Sequence, residues 1–135
     1  MTNLDQIEQC INLYYEGCCE SDSKKIKEAF DENAMISGYL PDGLHEMNLN
    51  DFAGFVSAQQ PSPKEKGDNE FLEIISSEVV GDTAIVKIRE EYLGMIFIDS
   101  FSFLKKDNTW RIYTKLFHVE SIIWRINLEE EKYVV

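Results

Sequence analysis

Positive charge is what this chain has least of. Thirteen lysines and arginines face twenty-five aspartates and glutamates, giving a net charge of −12 and a pI near 4.5. So acidic a chain is not expected to bind nucleic acid or an anionic membrane. The ordinary consequence of such a surface is solubility. Cysteine is sparse too: Cys10, Cys18 and Cys19 form no C-x-x-C pair, and the histidines are only His45 and His118. No metal site or cofactor is therefore expected. An odd cysteine count without disulfide-like spacing suits the reducing cytoplasm. No apolar run approaches the ~20 residues of a bilayer span. The opening Met1-Thr2-Asn3-Leu4-Asp5-Gln6 lacks the basic and apolar regions of a signal peptide. There is no low-complexity tract and no repeat.

What remains is a chain of 135 residues, 44% apolar, long enough for one domain with a real core. Leu4, Ile7, Ile11, Tyr14 and Cys18 recur at three- and four-residue spacing and predict an amphipathic helix over 4–19. Ser21-Asp22-Ser23 offers N-caps for a second helix burying Ile26, Ala29 and Phe30. A strand is expected over 34–39, then a turn at Pro41-Asp42-Gly43 and a short return strand over 44–48. Asn50 is a candidate cap for a third helix carrying Phe52, Phe55 and Val56. Residues 60–70, polar and with two prolines, read as one long loop, either a lid or a connector.

Beyond it the chain is β-rich, with strands expected over 71–80, 83–92, 95–105 and 109–119. Gly81-Asp82 and Leu93-Gly94 read as two-residue hairpin turns, and Lys106-Asp107-Asn108 as a three-residue turn. Helices followed by a strand meander indicate an α+β fold. The turns imply a register. Ile75 would face Ile88, Glu73 face Glu90, Ile88 face Asp99, and Asp99 face Lys115. Phe101 would then face Tyr113, and Phe97 face Phe117. One inner face results, made of Ile75, Val79, Val86, Ile88, Phe97, Asp99, Phe101, Phe103, Tyr113, Lys115 and Phe117. The other face carries Ile98, Leu104, Trp110, Ile112, Leu116 and His118. That surface is too apolar for water, and it predicts a homodimer through those residues.

Asp99 is the best pointer to a site. It alternates with Phe97, Phe101 and Phe103, and a carboxylate among aromatics is costly unless protonated, paired or hydrogen-bonded. The expected ligand pocket is lined by Tyr14, Phe97, Asp99, Phe101, Tyr113, Lys115, Phe117, Ile88 and Glu90. Asp99 and Lys115 are read as cross-strand neighbours. They form either a pocket pair or a structural ion pair. Tyr14, Asp99 and His45 are the candidate catalytic residues. Glu73 and Glu90, if opposite, would be a carboxylate pair on the inner face, near its edge.

Several segments in order resemble the nuclear transport factor 2-like superfamily, nearest to its "Putative lumazine-binding", SnoaL-like branch. They are Tyr14-Tyr15-Glu16-Gly17, Ser21-Asp22, Ala29-Phe30 leading to Ala34-Met35-Ile36, Gly81-Asp82-Thr83-Ala84, Asp99 through Phe103, and Asp107 through Phe117. The resemblance implies a cone of curved antiparallel sheet closed by N-terminal helices, also described as cystatin-like. It covers a single domain over 1–119, leaving 120–135 as an extension docked on the domain or on a partner. Ketosteroid isomerase belongs to the same superfamily and is the standard case of a neutral carboxylic acid that donates a hydrogen bond. Its catalytic tyrosine corresponds by spacing to Tyr14, and its protonated aspartic acid to Asp99. Its general base falls at Gly38, which can take no proton.

The expected function is that of a small-molecule binding protein with an apolar conical pocket, taking a small apolar or aromatic ligand. The alternatives are an isomerase, cyclase or dehydratase doing acid–base chemistry on a carbonyl substrate, and a dimeric interaction module.

Overall fold

Local chemistry fixes where the helices begin. Thr2 accepts from the Asp5 backbone while Asp5 accepts from the Thr2 backbone, a capping box that opens α1 (Asn3–Glu20). Asp22 caps α2 (Ser23–Ala29) by accepting from Lys24 and Lys25. A second capping box, Asn48 with Asp51, starts α3 (Leu49–Ser57) two residues earlier than Asn50 would have. The expected long loop is interrupted by one turn, α4 (Pro63–Lys66), capped by Ser62. The computed structural model describes residues 1–123. Its strands are β1 (Phe30–Leu40), β2 (Gly43–Asn48), β3 (Leu72–Val80), β4 (Thr83–Tyr92), β5 (Met95–Lys106) and β6 (Thr109–Ile122).

The strands form one curved, unclosed sheet in the order β2-β1-β6-β5-β4-β3. Only β1 and β6 run parallel, and the other pairs are antiparallel. The helices pack on one face, so the fold is α+β. Ile7, Ile11, Tyr14 and Cys18 of α1 share one core with Ile26, Phe30 and Phe52, and with Val86, Ile88, Phe101, Phe103 and Ile112 of the sheet. Gly17 lets α1 and α2 approach, since a Cβ there would lie 2.9 Å from the Ile26 side chain.

Three bulges change the expected register, and bulges bend strands and sharpen twist. In β3 the register shifts between Ile74 and Ser76. Ile74 therefore faces Ile88, Leu72 faces Glu90, and Glu73 faces Arg89. Glu73 leaves the inner face and pairs with Arg89 at 2.7 Å, and Ile75 is 42% exposed. The β5–β6 turn has two residues, not three, with Asp107 and Asn108 both at positive φ. Lys106 thus faces Thr109. A further shift between Ser102 and Phe103 leaves Tyr113 unpaired, and another follows between Ile96 and Phe97. Asp99 consequently faces Phe117, Phe101 faces Lys115, and Phe97 faces Val119. Tyr113 points outward, while Trp110 and Ile112, expected on the outer face, are buried in the core. Val79 is exposed near the end of β3. Strand β6 runs past 119 to Ile122, and the rest of the expected extension, 124–135, lies outside the described residues.

Candidate functional site

The period of α1 turns Tyr14 toward the sheet, and the period of two in the strands turns Glu90, Tyr92, Phe97, Asp99, Lys115 and Phe117 toward the helices. Tyr14, Glu90, Asp99 and Lys115 meet in the core, each at most 7% exposed. The Tyr14 hydroxyl donates to Glu90 Oε2 at 2.6 Å and accepts from Lys115 Nζ. Its one hydrogen is therefore committed to the protein. Lys115 Nζ lies 4.7 Å from the ring centroids of both Tyr14 and Phe52, and 5.5 Å from that of Phe117. An ammonium among aromatic faces is stabilised by their quadrupoles.

Neither Asp99 oxygen has a hydrogen-bond partner among the described residues, nor does Glu90 Oε1. Burial pushes Asp99 well above the usual aspartate range. The Glu90 charge adds to that push, and Lys115 opposes it. Two ionised carboxylates would have no hydrogen between them. Protonating Asp99 supplies one, and a hydrogen bond to Glu90 strengthens the upward shift. Burial works against the charge on Lys115, but the facing acidic groups outweigh it and hold its pKa above the ordinary value. The arrangement that satisfies most groups has Lys115 charged, Glu90 as its counter-charge through Tyr14, and Asp99 protonated behind them.

Against this cluster opens a cavity of about 120 Å³. Tyr14, Glu90 and Lys115 form its polar wall, and Phe52, Phe97 and Phe117 its aromatic wall. Met47, Met95 and Tyr92 are further lining residues. The Tyr92 hydroxyl is buried and has no partner among the described residues. Burial pushes its pKa upward, so it stays a donor. His45, brought from β2, also reaches the cavity, and its Nε2 lies 2.7 Å from Asp42 Oδ1. The Asp42 carboxyl is correspondingly lowered by its hydrogen bond to His45.

Of the residues expected to line a pocket, Tyr14, Phe97, Lys115, Phe117 and Glu90 reach this cavity. Asp99, Phe101 and Ile88 are buried in the core without lining it, and Tyr113 lies on the other face of the sheet. Asp99 and Lys115 share the inner face, but as diagonal neighbours, not opposite ones. Glu73 and Glu90 are not opposite either. Gly38 faces Phe117 across β1 and β6, and a Cβ there would lie 2.6 Å from the Phe117 ring and closer still to its carbonyl oxygen. Phe117 occupies the space a base at position 38 would need. Sequence reasoning missed Tyr92, the two methionines, Phe52, Phe55, Leu40 and Leu93 as lining residues. Tyr92 was legible, since it stands two residues from Glu90 and so shares its face.

Among the described residues no group of three histidine, cysteine or acidic side chains is arranged to hold a metal ion. No helix there is long and apolar enough to cross a membrane. A family model described as "Putative lumazine-binding" matches residues 2–118. No curated protein matches the chain. Among solved structures, it is similar to an NTF-2 like protein of unknown function from Silicibacter pomeroyi, 21% identical over 89% of this chain and 100% of that one, with a TM-score of 0.79. An NTF2-like protein of unknown function from Methylobacillus flagellatus is 27% identical over 88% of this chain and 93% of its own, TM-score 0.75. A domain with a cystatin-like fold from Nostoc punctiforme is 14% identical over 97% and 86%, TM-score 0.69.

Proposed function

The chain belongs to the "Putative lumazine-binding" family of the nuclear transport factor 2-like superfamily, and we propose that it is a small-molecule binding protein whose ligand sits in the Lys115 cavity. One observation carries the proposal. A cavity of about 120 Å³, walled mainly by aromatic, leucine and methionine side chains, ends on a buried ammonium held by Tyr14. Ligand sites are generally apolar with a few fixed polar groups, and a dry cavity of about 150 Å³ suffices for benzene. The ligand class is thus a small apolar or aromatic molecule of about one ring. The family description names lumazine binding, which supports an aromatic ligand, although lumazine itself has two fused rings and is larger than this cavity. Native mass spectrometry of the purified protein, and thermal melts with single-ring aromatics, test this. A carried ligand or a concentration-dependent rise in Tm is expected; no shift with any ring compound at millimolar concentration would refute it.

His45 favours a second reading. Asp42 holds one of its ring nitrogens while the ring lines the cavity, an arrangement suited to proton transfer. This supports an isomerase-, cyclase- or dehydratase-type enzyme in which His45 moves the proton. Tyr14 does not serve as its oxyanion donor, because its hydrogen is given to Glu90.

The outer sheet face supports a homodimer. Ile98 and Leu104 are partly exposed there, Leu116 is 59% exposed and His118 is exposed, with Met35, Tyr39 and Ile85 also exposed around them. Sedimentation is expected to give a dimer that Leu116→Asp dissociates; a wild-type monomer at micromolar concentration would refute it. The buried free cysteines Cys10, Cys18 and Cys19 fit a reducing, cytoplasmic setting.

A further inference from the structure

We infer that residues 124–135 seat on the mouth of the Lys115 cavity of their own chain, with Trp124, Ile126 and Leu128 as its outer wall. The place where β6 ends is the first reason. The Ile123 backbone N–H donates to the Gly94 carbonyl at 2.7 Å, and Ile122 stands opposite Met95. Leu93 and Met95 line the cavity. The chain thus leaves β6 at the cavity's rim. A bulge decides which side of the sheet it leaves from. Glu120 reaches outward to Arg89. The register then shifts between Ile96 and Phe97, so that Ser121 also stands outside, opposite Ile96. Ile122 is thereby returned to the inner face beside Met95. Without the shift it would have followed Glu120 outward.

The mouth itself is apolar. Phe55 of α3 is 36% exposed there, and Leu40, Met47 and Met95 are only partly buried. Covering such surface is favourable. Trp124-Arg125-Ile126-Asn127-Leu128 offers three large apolar side chains before the acidic run Glu129-Glu130-Glu131 begins. Twelve residues span about 18 Å as a helix and up to about 40 Å extended. Either length crosses the mouth of a cavity of about 120 Å³. The other large apolar surface, around Leu116 and Met35, lies across the sheet from Ile122. A segment seated on the mouth encloses whatever the cavity holds, and its seating does not depend on a ligand being there.

The methionines make the test direct. Met95 stands at the exit and Met47 on β2, with β1 and β6 between β2 and β5 in the sheet, while Met35 is 48% exposed on the outer face. The full chain, with methyl-labelled methionine on a deuterated background and protonated Trp, Ile and Leu, is read by NOE spectroscopy without any substitution. Residues 124–128 are expected to contact the methyls of both Met95 and Met47. Contact with Met95 alone would reflect chain connectivity and overturn the inference, as would contact with Met35 in place of Met47, or no contact at all. A mixture of chains labelled separately on Met and on the 124–128 side chains is expected to lose the Met47 contact. Its survival would seat the segment of a second copy on the mouth and overturn the same-chain assignment. Ligand titrations are read separately, so either result leaves the binding-protein reading to its own test.

Discussion

Replacing Lys115 with methionine keeps the length and apolar stem of the side chain and removes one buried charge. Its loss leaves Glu90 with only the Tyr14 hydroxyl and the Asp99 proton as partners, and takes away the charge that holds Asp99 down. Breaking a buried ion pair from one side costs about 3–5 kcal/mol, a large part of the roughly 5–15 kcal/mol available to a domain. The pH dependence has a definite sign. Asp99 titrates higher in the folded protein than in the unfolded chain, so folding takes up a proton above the ordinary aspartate value of about 4. The stability linked to that proton is present at low pH and fades as pH rises through the raised value. Methionine at 115 lifts Asp99 further and widens this window upward. Urea unfolding should therefore show Lys115→Met losing about 3–5 kcal/mol at pH 8, and distinctly less at pH 4.5, where Asp99 is held protonated. Adding Glu90→Gln removes the stranded charge, and the double variant should be more stable than Lys115→Met alone. Equal losses at the two pH values, or a double variant no better than the single one, would refute this account of the cluster.

Tyr14→Phe deletes the hydroxyl that bridges Lys115 and Glu90, and should cost about 2–3 kcal/mol at pH 7 in urea unfolding, because two charged groups lose a partner at once. Gly38→Ala drives a methyl into Phe117 and should cost about 2–3 kcal/mol, with amide shifts spreading along β6 in NMR spectra. Asn48→Ala removes the α3 cap and should cost about 1 kcal/mol, seen as a lower urea midpoint with an unchanged slope.

How much of this was legible turns on β6. Reading Lys106-Asp107-Asn108 as a three-residue turn put the start of that strand one residue out of register, which inverted its faces. That reading puts Trp110 and Ile112 on the outer face, although they are 4% and 0% exposed. Asp107 and Asn108 both adopt left-handed backbone, which these two residue types tolerate, and so close a two-residue turn. The bulge at Tyr113 then shifts the pairing by one more residue. Two shifts of one restore the original parity. Lys115 and Phe117 therefore face inward as alternation predicts, but each is displaced by two positions along β5, and Asp99 meets Phe117 directly while Lys115 lies on the diagonal. In β3 a single bulge goes uncompensated, and Glu73 is delivered to Arg89 instead of Glu90. Alternation gives faces; it does not show bulges, because nothing in the local residue types at Tyr113 or Ile75 demands one.

The carboxyl at 99 was visible as an anomaly, but its role was not. A sequence shows that an acid stands among phenylalanines; it does not show which group lies between that acid and the cavity. Here Glu90 and Tyr14 do, so Asp99 sets the charge of the cluster from behind the cavity wall. The Gly38 position was legible as the loss of a base, and its cause was not. Phe117 lies against bare backbone there, so restoring an acid at 38 would have to displace an aromatic wall of the cavity before it could act on anything inside it. In the enzyme reading the proton carrier is His45, which stands with Asp42 on the β2 side of the cavity. A proton-transfer activity that survives His45→Ala with unchanged pH dependence would place the base elsewhere and remove the support for the enzyme reading.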